Sequence, residues 1–90
     1  MSTIHTIFCG ETYRVRANWA DAAAPVEVES EDGWTETGRQ VADYQHDAHA
    51  ALRHALEEAV IGSWESVADY RAEIEAAVAT AHMDGHASSH

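Results

Sequence analysis

His46, His49 and His54 stand with Asp43 and Asp47 in one stretch of this chain, and imidazoles with carboxylates are donors that a transition metal takes. On a helix turning by about 100° per residue, His46 and His49 are about 60° apart, but His49 and His54 are about 140° apart. One helix therefore cannot converge all three, and metal binding is the weakest of the functional readings. His82, His86 and His90 repeat every four residues, but Gly85, Ser88 and Ser89 oppose the helix that would align them. For nucleophilic chemistry, Cys9 would need an imidazole within hydrogen-bond reach. His5 lies about 13 Å away along the same strand, so Cys9 reads as a buried structural thiol. Ser63 reads as a helix cap, and the Glu57 and Glu58 side chains diverge by about 100°. No HExxH, CxxC or GxxxxGK pattern occurs. The residues give no catalytic constellation and no cofactor signature, and the expectation is a protein that is not an enzyme.

The residues that stand out for recognition are Glu27, Glu29, Glu31, Trp34 and Glu36. Asp32-Gly33 between alternating segments signals a tight hairpin turn. With those two residues as the loop, Glu31 faces Trp34, Glu29 faces Glu36 and Val28 faces Thr37, and all four glutamates share one sheet face with Trp34. Like charges opposed across a ladder oppose folding, so this face belongs to solvent or to a partner. An aromatic ringed by charge has the composition of an interface anchor. Glutamates on alternate strand positions are about 6.6 to 7 Å apart, close to the spacing of phosphates along a nucleic-acid strand. Asp43 and Asp47, on the polar side of the following helix, are the next candidate partner-binding face after these glutamates.

Periodicity supplies the elements that position these residues. Ile4, Thr6 and Phe8 alternate with His5, Ile7 and Cys9, and Tyr13, Val15 and Ala17 alternate with Arg14 and Arg16, which predicts two strands around a Gly10-Glu11 turn. A connection over 18–25 precedes the second hairpin. Beyond Gly38, Val41, Tyr44, Ala48, Ala51, Leu52, Ala55, Leu56 and Ala59 recur at three- and four-residue steps, predicting one amphipathic helix with Arg39–Asp43 and Arg53–Glu57 ion pairs. Gly62-Ser63 reads as a stop and a new cap. A second helix then carries Trp64, Val67, Tyr70, Ile74, Ala77, Val78 and Ala81 on its apolar face. The predicted class is α+β, ββββαα, with two hairpins forming a four-stranded antiparallel sheet and both helices on one face. Residues 1–82 form the domain and 83–90 a flexible tail.

Composition limits what such a domain does. Ninety residues hold one small core, and 18 alanines leave only 14 Leu, Ile, Val and Phe to fill it. Three Trp, three Tyr and the two periodicities argue for a folded chain nonetheless. Sixteen carboxylates oppose five arginines and no lysine, for a net charge of −11. Such a chain repels phosphate, which excludes direct nucleic-acid binding and favours a basic partner. No apolar run is long enough for a membrane span and no leader pattern is present, and the single Cys9 fits a reducing compartment. The expectation is a cytoplasmic protein.

In size and charge the chain resembles the small acidic inhibitors that phages and mobile elements direct at restriction or CRISPR complexes, a likeness of style that rests on no shared motif. The leading expectation is a binding protein that occupies a basic, nucleic-acid-binding surface of a protein or nucleoprotein complex. The alternative is a homodimeric interaction module or an antitoxin-like partner, with a metal-binding domain third.

Overall fold

The computed structural model describes residues 2–30 and 33–83. Strands β1 (Ser2–Phe8), β2 (Glu11–Ala17), β3 (Pro25–Ser30) and β4 (Gly33–Gln40) form an antiparallel sheet, followed by helices α1 (Ala48–Gly62) and α2 (Arg71–Ala79). This is the ββββαα order that the periodicities predict. A short fifth strand, β5 (His82–Met83), returns to pair with β1 and makes the order β4-β3-β2-β1-β5. It belongs to the segment predicted as helix end and tail; residues 84–90 of that tail lie outside the described residues.

The first turn is Cys9-Gly10, one position earlier than predicted, because Phe8 pairs with Glu11. Both turn residues have positive φ, 52° and 81°, the conformation that continues the right-handed strand twist and that Gly10 adopts freely. Cys9 is consequently exposed, and the expectation of a buried thiol is corrected. The second hairpin shifts in the same sense. Ser30 pairs with Gly33 and Glu29 with Trp34, so residues 31 and 32 connect the strands and Gly33 opens β4. Each shift preserves in–out parity, so every strand residue keeps its predicted face.

Ile4, Val15 and Val26 project from the inner face onto Leu52 of α1, and Phe8 joins Leu56, Val60, Ile74 and Val78 between the helices. Full burial of each large apolar side chain contributes about 2 kcal/mol. Thr6 is the one buried polar residue of this face among those described, and its hydroxyl donates to the Ala77 carbonyl at 2.7 Å, tying β1 to α2.

The single long helix predicted from residue 39 is divided. Arg39 and Gln40 still belong to β4, Val41–Tyr44 is one 3₁₀ turn, and Gln45 and His46 take left-handed φ of 54° and 62°. The Asp47 carboxylate then accepts from the His49 N–H and starts α1. The expected i,i+4 ion pairs give way to tertiary ones: Arg53 grips Glu75 of α2 with two bonds, at 2.9 and 3.1 Å. Gly62 is the last residue of α1 and Ser63 caps that helix instead of opening the next. Residues 68–70 form a 3₁₀ turn before α2, so Trp64, predicted on its apolar face, precedes both and is exposed.

Candidate functional site

The outer sheet face gathers four of the predicted recognition residues, Glu27, Glu29, Trp34 and Glu36; Glu31 lies outside the described residues. Their neighbours on β2 change the electrostatics. Arg16 Nε donates to Glu27 Oε1 at 3.0 Å, Arg14 Nε approaches Glu29 Oε1 at 3.7 Å, and the Arg16 guanidinium covers the Trp34 ring. Antiparallel pairing sets Arg16 opposite Glu27, so the strand that follows the first turn carries the counter-charges. Glu27 and Glu29 thus each have a cation within ion-pair distance, and among the described residues Glu36 is the exposed carboxylate without such a partner on this face. Asp43 and Asp47 are occupied locally: Asp43 accepts from the Gln40 N–H at 2.8 Å and Asp47 caps α1.

Unmatched acid gathers instead where the first turn meets the end of α1. Among the described residues, Glu11, Glu65, Asp69 and Glu73 make no ion pair, although Arg71 is close in sequence. Three of them act on Tyr70, whose phenol is raised above the ordinary 10, with Glu65 the largest cause, then desolvation, and with Cys9, Glu73 and Asp69 adding to it. A cleft of about 300 Å³ opens here between Phe8, Tyr13 and Tyr70, with Glu11 and Glu65 at its rim. Phe8 meets both tyrosines edge to face at 6.0 and 6.3 Å, which fixes an aromatic wall behind the carboxylates.

Trp64 lies between two residues of that rim, Ser63 and Glu65. The Glu65 N–H donates to the Val60 carbonyl and the Trp64 N–H to that of Ile61, at 3.1 and 3.0 Å. These are the two bonds of a Schellman helix end, whose left-handed position is ordinarily glycine. Here Trp64 occupies it at φ 61° with 96% of its surface exposed. Ile61, one turn back, is also exposed. The strain is unrelieved by any burial of the indole, and stored backbone strain of this kind concentrates where side chains contact a ligand or partner.

A second cleft, of about 530 Å³, lies between α1 and the inner face of β3 and β4. Both helices pack mainly on β1 and β2, and α1 lines the space beside the remaining strands with Ala51, Ala55 and Ala59, with His54 and Glu58 at the edge. Small side chains at four-residue spacing leave that space open. At its edge the Tyr44 hydroxyl meets His54 Nδ1 at 2.8 Å, and His54 Nε2 meets Glu58 Oε1 at 3.2 Å. The Tyr44–Nδ1 bond takes its direction from the tautomer of the ring: with the proton on Nε2, toward Glu58, Tyr44 donates to Nδ1. Tyr44 is raised above 10, mainly by burial, while Arg39 and a Thr37 hydrogen bond pull in the other direction; it holds its proton and acts as a hydrogen-bonding group, not as a phenolate. Sequence reading missed this chain of three. His54 and Glu58 at i,i+4 are visible in the sequence, but the approach of Tyr44 depends on the break at residues 45–47.

The remaining candidates are dispersed. His46 bonds the Trp19 carbonyl through Nδ1 at 2.7 Å and His49 lies 3.8 Å from Asp47. Among the described residues no three His, Cys, Asp or Glu side chains are gathered in a metal-holding group, and no helix is long and apolar enough to cross a membrane. Comparison with family models, curated proteins and solved structures gives no match for this chain.

Proposed function

We propose that this chain is a non-enzymatic acidic binding protein that occupies a basic, nucleic-acid-binding surface of a target protein or nucleoprotein complex, as an inhibitor of the nucleic-acid-mimic kind. The observation that carries this reading is the combination at the end of α1. An exposed, strained Trp64 adjoins Glu65, which shares a cleft with Glu11 and acts with Asp69 and Glu73 on Tyr70, and none of these four carboxylates has an ion-pair partner among the described residues. Trp64 supplies an apolar anchor and the carboxylates supply attraction and orientation toward cations. The aromatic cleft behind Glu11 and Glu65 is of a size and charge to accept an arginine or lysine side chain. With Glu27 and Glu29 satisfied by Arg16 and Arg14, the sheet face contributes less to this surface than the glutamate spacing alone implies.

The test starts from a target retained on immobilised chain at low salt and released at high salt. Glu11→Gln, Glu65→Gln, Asp69→Asn and Glu73→Gln combined are expected to lower affinity for it more than tenfold, while Glu27→Gln with Glu29→Gln leaves it near the starting value. Addition of the chain should also displace nucleic acid from that target. A target whose nucleic acid stays bound at saturating chain rules out mimicry. Concentration-dependent dimerisation through the β4 edge, with no such target, would favour the homodimeric interaction module instead.

A further inference from the structure

Arg39 is the one arginine on the lining of the α1–β4 cleft, and among the described residues no carboxylate pairs with it. Opposite the single residue Val26, β4 spends three residues, Thr37, Gly38 and Arg39, because pairing passes from Glu27–Glu36 to Pro25–Gln40. Gly38 turns through this bulge at φ 80°, and the Thr37 hydroxyl holds it by donating to the Val26 carbonyl at 2.9 Å. Bulges of this kind re-aim side chains beside functional sites, and here both Thr37 and Arg39 line the cleft. Of the two carboxylates on its lining, Glu29 lies 3.7 Å from Arg14 Nε of β2, and Glu58 contacts the His54 ring at 3.2 Å, an ion pair only when that ring is protonated. The rest of the lining is Tyr13, Val28 and the alanine row of α1. A volume of about 530 Å³ that is mainly apolar, with a few convergent polar groups, is what a small-molecule site requires.

We propose that this cleft binds a small planar organic anion, an aromatic carboxylate, with its carboxylate on the Arg39 guanidinium and its ring on the Ala51–Ala55–Ala59 row. The guanidinium offers paired donors that match a carboxylate. When the Tyr44 hydroxyl donates its hydrogen bond to His54 Nδ1, its oxygen accepts one from a hydroxyl or amino substituent on the ligand ring. The chain's overall negative charge does not decide against an anion at this site. At physiological ionic strength, charges beyond about 8 Å are largely screened, and the unmatched carboxylates surround a different cleft at the first turn. This site is independent of the acidic docking surface, so either can fail without the other.

Three isosteric probes read the proposal: naphthoate, the neutral naphthalenemethanol and the cationic naphthylmethylamine, each titrated to millimolar concentration into the isotope-labelled full chain. Naphthoate is expected to shift the amide resonances of Arg39, Tyr44, Ala51 and Ala55, and to bind about tenfold more tightly than the alcohol. Arg39→Gln, at an exposed position that leaves the fold intact, should erase that preference. Ala55→Leu, which fills the cleft, should weaken naphthoate and alcohol alike. Amine binding as tight as naphthoate, shifts centred elsewhere, a preference that survives Arg39→Gln, or no shift at all overturns the proposal.

Discussion

The Arg16 guanidinium lies 4.1 Å above the centre of the Trp34 ring while its Nε holds Glu27 at 3.0 Å. One side chain thus spans β2, β3 and β4 on the outer sheet face. It turns a row of glutamates from a source of repulsion into part of a three-strand clasp, and it covers the indole that would otherwise be open to solvent.

Arg16→Ala and Trp34→Ala are each expected to destabilise the fold by about 1 kcal/mol, with a coupling of about 0.5 to 1 kcal/mol between them. Urea denaturation of both single variants and the double variant measures this. Strict additivity would mean that the stacking contributes nothing.

Trp64→Gly is expected to raise stability by about 1 kcal/mol, because glycine occupies the left-handed position without strain and the exposed indole gives up no packing. The same substitution should abolish binding to the basic target. A lower denaturation midpoint would show that the indole supports the fold, contrary to its exposure.

Thr6→Val keeps the shape of a buried side chain but removes its bond to the Ala77 carbonyl. A loss of about 1 to 2 kcal/mol is expected, with hydrogen exchange accelerated first in α2 and β5, which lie against β1.

At alkaline pH, Tyr44 contributes a slope of known sign. Its folded pKa is raised above 10, so the unfolded chain releases this proton first. The associated stability is complete below about pH 10 and is lost as pH rises through the folded value. Tyr44→Phe has no proton to lose there and should unfold less steeply with pH, as followed by circular dichroism.

Glu65→Gln should lower the Tyr70 titration midpoint toward 10, since Glu65 is the largest cause of its elevation. Difference absorbance of the phenolate reads this directly. An unmoved midpoint would remove the concentration of negative potential on which the docking surface rests.

The sequence by itself determined the ββββαα order and the faces of the alternating residues in the two hairpins, because alternation has a period of two and survived the shift of both turns. Ile4, Thr6 and Phe8 were readable as inward, and Glu27, Glu29, Trp34 and Glu36 as outward. The sequence also determined the net charge. Where that charge stands unmatched was decided only by the tertiary structure. Ion pairing depends on which strand or helix becomes a neighbour, and so Arg16 found Glu27, Arg14 found Glu29, and Arg53 found Glu75 instead of Glu57. The candidate sites have the same origin. The cleft exists because α1 and α2 cover β1 and β2 and leave small alanines facing β3 and β4, and Tyr44 reaches His54 only because two left-handed residues break the helical stripe between them. Trp64 is exposed because α1 ends in a Schellman turn two residues beyond Gly62 and α2 begins only at Arg71. Helical periodicity is silent about such an ending, since it is fixed by the bonds of Val60 and Ile61 and not by the pattern of apolar residues.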